Sequence, residues 1–327
     1  MIDENRLGHR SLPILAGALS SVFYGSVALM PIFLVPIQYT GARRGFKAMV
    51  GSAAVSSIVI AAWQTIALAR ADILSAGTVA VGVSTPLALA IALVAMAWPR
   101  LARFSFTIRA LVAAAVASAL SLPALFAAIR DPAVRAMFLD AFETASSALG
   151  AEVLDAEALW SALRTGVASS YGAVLFAFLF LSSWSGSSLG RAMDARTGGR
   201  DDAPESLTIQ VPNLAAYRVP RGLVWALLAA WTALLVNRFV SVPVFSAVAL
   251  NAALALSICY GVQGLAVVRA LAERVGLAPA LRLIGPMAII LLLVSGVGGF
   301  VAIGLLALLG TLETWIPFRA VTEGESP

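Results

Sequence analysis

The chain has 327 residues, of which 60% are hydrophobic and only 12% charged, and its mean hydropathy is +0.93. A soluble protein of this length carries about twice that charge, and no soluble core could hide so much apolar surface, so composition excludes a soluble domain and points to a polytopic membrane protein. The net charge of +5 is dispersed over loops, with Lys47 the sole lysine; it reads as a topology signal and lipid headgroup contact, and no nucleic-acid partner is implied.

One cysteine, Cys259, and one histidine, His9, narrow the chemistry further. No disulfide can close within the chain, no Cys/His metal site can be assembled, and no histidine base lies in the membrane. The sequence therefore implies no metal and no cofactor.

Residues 13–29 form the first span, read as uncleaved because the apolar run is too long for a signal peptide and no small-x-small site follows it. Gly17, Ser21 and Gly25 recur at four-residue spacing, which places them on one helix face where a second helix can approach closely. Residues 29–41, LMPIFLVPIQYTG, are too short for an ordinary span and carry Pro31 and Pro36, so a short or broken helix that turns back is expected. Residues 48–68, with Gln64, and 76–98, with Pro86, cross next. Pro86 frees a carbonyl that a neighbour or water must satisfy. Residues 110–129 cross again around Pro123.

Residues 130–165 are the one acidic extramembrane stretch. Asp131-Pro132 is a helix start, apolar positions follow a helical period to Leu149, and 155–163 reads as a second short helix. A span at 167–184 leads to a loop at 185–221, whose opening SGSSLG reads as a flexible linker. Another span covers 222–237. Residues 244–269 then make a run of 26 residues, long enough to cross a membrane, that holds Asn251, Ser257, Tyr260 and Gln263. Its Ser257, Gly261 and Gly264 face is small enough for a partner helix, while Tyr260 and Gln263 need polar partners in so apolar a place. The last stretch, 283–312, is interrupted by SGVGG and fits one tilted helix or a hairpin.

The expected fold is thus all-α: a transmembrane helix bundle of eight to ten segments in a single integral membrane domain, residues 1–327, with a short external helical insertion at 130–165 and a cytoplasmic loop at 185–221. Placing the arginine-rich loops inside makes the N-terminus cytoplasmic, provided the Pro31/Pro36 segment returns across the membrane.

No charged residue falls at the centre of a span, which disfavours ion-coupled transport. No Ser/His pair, aspartate pair or GxxxxGK[ST] motif is present for proteolysis or nucleotide hydrolysis. What remains is a polar minority within the spans, with Tyr39, Gln64, Asn251, Tyr260 and Gln263 foremost and Tyr24, Gln38, Tyr171 and Asn237 beside them. These residues either line a site for a small, mostly neutral ligand or tie helices to one another.

Four stretches, GAL...LVPIQYTGARRGFKA, YRVPRGLVW, YGVQGLAVV and GTLETWIPFR, resemble the YybS-like bacterial membrane proteins, with Glu313 where that family suggests an aspartate. That family is similar to the substrate-binding components of energy-coupling-factor vitamin transporters. The resemblance implies that Gly17, Ser21 and Gly25 dock a shared subunit of a coupling ATPase complex, and that Tyr39, Gln64, Tyr260 and Gln263 contact a small ligand. The chain is longer than such components and adds the external insertion. The resemblance implies a non-enzymatic protein of the bacterial inner membrane that binds a small molecule or a transport partner among membrane lipids. The alternatives are a scaffold that gathers other membrane proteins on its small-residue faces, and an enzyme acting on lipid through the arginine-rich loops.

Overall fold

Without water in the hydrocarbon core, backbone N–H and C=O groups must be satisfied within the segment, and an open apolar chain does this as α-helix. A computed structural model describes residues 4–26, 28–70, 75–149, 155–196, 211–240, 242–277 and 297–319, and among these the regular structure is helical. Among the described residues, six helices are long and apolar enough to cross a membrane, and two shorter apolar helices, Ser11–Gly25 and Val301–Leu312, accompany them. The eight to ten segments expected from hydropathy are not established by these six.

The chain divides into two compact units, Met1–Val211 and Pro212–Pro327. The first holds α1 (Glu4–Gly25), α2 (Val35–Arg44), α3 (Phe46–Arg70), α4 (Ala76–Met96), α5 (Phe106–Arg130), α6 (Pro132–Leu149) and α7 (Ala156–Arg196). Within it α3 packs on α1 and α4, while α5 lies against α4 and α7 and α2 lies against α7. The proline-rich stretch after α1 is short and broken, as its sequence suggests. Pro31 opens a 3-10 turn, Met30–Ile32, and Pro36 sits in the first turn of α2. Gly45, at φ 84°, then reverses the chain into α3 in a backbone region that favours glycine.

Two expectations for this unit change. Residues 155–163 are not a separate short helix, because α7 runs unbroken for 41 residues. At 1.5 Å per residue it is about 60 Å long, twice the hydrocarbon thickness of about 30 Å, so it extends beyond the membrane. Likewise, SGSSLG is not a linker but part of α7, with Ser187 buried. A Cβ on Gly186 would lie 2.7 Å from Gln38 Cβ, and one on Gly190 would lie 3.0 Å from Ala42 Cβ, so these glycines let α2 close on α7. Glycine and serine give flexibility in water and close helix contact in lipid, and local composition alone does not separate the two. Of the expected loop at 185–221, residues 197–210 lie outside the described residues; 211–222 form an arm with one 3-10 turn, Leu214–Ala216.

The second unit holds α8 (Leu223–Val240), α9 (Pro243–Arg274) and α10 (Val297–Leu312), with α9 packed by both others. Of the last apolar stretch, residues 297–312 are helical, and 283–296 lie outside the described residues. Trp225, Leu235 and Phe239 of α8 are 67%, 67% and 89% exposed, an apolar face of the kind that suits contact with lipid.

Candidate functional site

The site grows from a proline. Pro86 has no N–H to offer the carbonyl four residues earlier, so the Gly82 oxygen of α4 is released from the helix ladder. Tyr24, at the end of α1, donates its hydroxyl to that oxygen at 3.2 Å. Beside it, the hydroxyls of Thr85 in α4 and Tyr171 in α7 share a hydrogen bond of 2.9 Å. Phe33 stands edge-on to the Tyr24 ring, with centroids 5.2 Å apart.

These side chains border a cavity of about 250 Å³, lined by Tyr24, Met30, Phe33, Thr85, Leu89, Val167, Ser170, Tyr171, Val174, Leu175 and Phe178. Phe33, Leu89 and Leu175 form its floor and are at most 2% exposed, whereas Val174 is 45% exposed and marks its open side. Among the described residues no charged side chain lines it, and the hydroxyls of Tyr24 and Tyr171 each take part in a hydrogen bond within the chain. The cavity therefore suits a neutral, mostly apolar molecule. Its serine, threonine and tyrosines have no carboxylate, histidine or lysine among the lining residues to activate them.

Of the residues singled out in the sequence, Tyr24 and Tyr171 reach this cavity and the five foremost candidates do not line it. The Tyr39 hydroxyl accepts a hydrogen bond from Arg43 at 3.1 Å, and the guanidinium lies 5.9 Å from its ring centroid. Gln64 lies near the kink without lining the cavity: a Cβ on Gly82 would be 3.5 Å from its Oε1. Asn251, Tyr260 and Gln263 belong to the second unit. Asn251 Nδ2 donates to the Ala247 carbonyl of its own helix at 2.8 Å. Gln263 is buried, and its amide ties three segments together: Oε1 accepts the Val219 N–H at 2.7 Å, and Nε2 donates to the Gly310 carbonyl at 2.9 Å. Tyr260 is fully buried, with Thr314 as a polar neighbour.

The small-residue faces are used inside the chain. A Cβ on Gly17 would lie 2.7 Å from the Ser52 carbonyl oxygen, and Ser21 donates to the carbonyls of Gly17 at 3.0 Å and Ser56 at 3.3 Å, so α3 covers this stripe. Gly25 is looser, its nearest neighbour being Trp63 at 3.9 Å. In α9 the close approach centres on Tyr260 and Gly264. A Cβ on Gly264 would overlap the Leu306 carbonyl, and one on Gly310 would overlap the Tyr260 carbonyl. Ser257 is half-buried, and a Cβ on Gly261 would meet nothing within 4 Å.

Two arrangements escape sequence reasoning. Arg319 and Glu313 form an ion pair at 2.5 Å with both side chains 5% exposed, and Arg319 also donates to the carbonyls of Ala215 at 2.8 Å and Tyr217 at 2.9 Å. YRVPRGLVW, YGVQGLAVV and GTLETWIPFR thus meet through Gln263 and Arg319; their polar residues beside buried tyrosines were the available signal. Arg109, which reads as a loop residue in the sequence, occupies the first turn of α5, is 8% exposed and reaches the Met96 carbonyl at 3.5 Å.

Fold and site together define a multi-helix membrane protein. Residues 205–309 match the model of the family described as "Predicted membrane protein (DUF2232)". That region includes the Tyr217 to Arg221 arm, α8, α9 and most of α10. No curated protein and no solved structure matches the chain.

Proposed function

We propose that the chain is a non-enzymatic, multi-pass inner-membrane protein that binds a small ligand in its first unit, as a transport-associated binding component does. The observation that carries this reading is the cavity of about 250 Å³ beside the Pro86 kink, with its buried apolar floor and its pair of tyrosines. Its size lies just below the range of about 300–1,000 Å³ usual for small-molecule sites. The likeness to the YybS-like proteins and to substrate-binding components rests on the sequence motifs. Because α3 already covers Gly17 and Ser21, a coupling subunit would bind elsewhere on the chain. The arginine-rich segments at 43–47, 100–109, 191–221 and 269–282 support a cytoplasmic face under the positive-inside rule, with 130–165 external, and a cytoplasmic N-terminus provided the Pro31/Pro36 segment returns across the membrane.

The test is native mass spectrometry of the protein released from mild detergent. Wild type is expected to carry a bound small molecule, and Leu89→Trp, which fills the floor, to lose it while keeping its melting temperature within a few degrees. A wild type that carries no such molecule under conditions that preserve the fold ends this reading.

The scaffold reading keeps one observation in its favour, the open position at Gly261 on α9. It expects Gly261→Leu to abolish recovery of partner membrane proteins in pull-downs; unchanged recovery removes it.

A further inference from the structure

We infer that the cavity of the first unit takes the acyl chain of a membrane phospholipid, which enters sideways from the bilayer past Val174. This rests on the ligand-binding reading above and narrows it to one chemical class.

The chemistry of the lining decides the class. A charged or strongly polar ligand would leave water and find no ion pair here, since no lining side chain is charged and the Tyr24 proton is committed to the Gly82 carbonyl. The Tyr171 and Thr85 hydroxyls share one hydrogen bond, which uses one of their two protons, and the Ser170 hydroxyl donates to the Gly166 carbonyl at 2.7 Å. A hydrocarbon chain gives up no hydrogen bonds on entering and fills space against Phe33, Leu89 and Leu175.

The position of the mouth decides the source. Val174 lies within the apolar crossing part of α7, and Leu181, two turns further along the same face, is 47% exposed. Such a face is covered by lipid hydrocarbon, so the open side of the cavity meets acyl chains and not water. Size agrees with this. Roughly 250 Å³ is about eight times the ~30 Å³ that a water molecule occupies in the liquid, room for a stretch of chain but not for a headgroup as well.

The test uses the full-length protein in phosphatidylcholine and phosphatidylglycerol vesicles that contain a trace of phospholipid with a diazirine in its acyl chain. After irradiation, labelled peptides are mapped by mass spectrometry. Label is expected on Phe33 and Leu89, buried positions that only a penetrating chain reaches, and on 167–178 of α7. It should fall at least about fivefold in Leu89→Trp and in Val174→Trp, the second a mouth substitution at an exposed position. Label on the exposed α8 residues Trp225 and Phe239 should be unchanged in both variants.

Phe33 and Leu89 left unlabelled while α8 is labelled overturns the inference, as does equal labelling of those two residues in wild type and both variants. Labelling by a diazirine polyprenol but not by the phospholipid also overturns it. If the protein carries a polar small molecule that Leu89→Trp removes, yet shows no cavity label, the ligand-binding reading survives and the acyl-chain assignment fails. If both the label and the bound molecule are missing, both fail.

Discussion

At the scale of single residues, one polar group freed inside a span is answered from far along the chain, whereas the buried Ser182 and Ser183 hydroxyls and the Gln38 Oε1 have no hydrogen-bond partner among the described residues. The Gly82 carbonyl freed by Pro86 is legible in the sequence as a need, but Tyr24, its donor, lies 58 residues away and is identified only by the fold. Tyr24→Phe keeps the ring against Phe33 and removes one hydrogen bond, and such bonds between membrane helices contribute about 0.6 kcal/mol on average and up to about 2. The loss, measured by unfolding in bicelles, should shrink in a Pro86→Ala background, where residue 86 regains an N–H for Gly82; equal losses in the two backgrounds would separate Tyr24 from the kink. Asp131 makes a second residue-scale prediction. A hydrogen bond from the Ser75 hydroxyl, followed by one from the Ala133 N–H, holds its carboxyl below the usual value of 3.8, despite a small opposing effect of burial. A group with a depressed folded value stabilises above its unfolded value and loses that contribution as pH falls through the folded one. Melting temperature should therefore drop more steeply below about pH 4 in wild type than in Asp131→Asn, and parallel profiles would remove the carboxylate from the account.

At the scale of helices, small residues mark where backbones meet, and their spacing does not say which of two neighbouring faces is used. The sequence offers Ser257, Gly261 and Gly264 together, and the structure puts α10 on the Tyr260 and Gly264 side. Gly264→Ala is expected to break the packing of α9 on α10, at a cost in the overpacking range of about 1–3 kcal/mol or more. Gly261→Ala should be neutral or slightly stabilising by helix propensity. Limited proteolysis of the 313–319 segment reads both, and equal sensitivity in the two variants would contradict the assigned face. SGSSLG teaches the same lesson, since only the approach of α2 shows Gly186 and Gly190 to be contact residues.

At the scale of the molecule, charge distribution sets topology while buried charge closes the fold of the second unit. Arg319 and Glu313 are desolvated together, so removing either leaves a buried charge without its partner, a loss of about 3–5 kcal/mol. Arg269 and Glu273 form an exposed pair four residues apart, worth only about 0.3–0.5 kcal/mol. Arg319→Met should thus lower thermal stability far more than Arg269→Met, and comparable shifts would show that the Arg319 clamp on Ala215 and Tyr217 is not structural. Composition, hydropathy and proline placement are properties of neighbours along the chain, and from them the sequence by itself determined the membrane class, the helical architecture and the broken segment after α1. The tertiary structure alone decided that Gln263 joins Val219 to Gly310 across 44 and 47 residues, that Tyr171 meets Thr85 across 86, and that the cavity lies beside Pro86 and not at Gln263. Such pairings depend on which helix faces meet, and in a chain that is apolar on nearly every face the hydrophobic pattern carries no record of that choice.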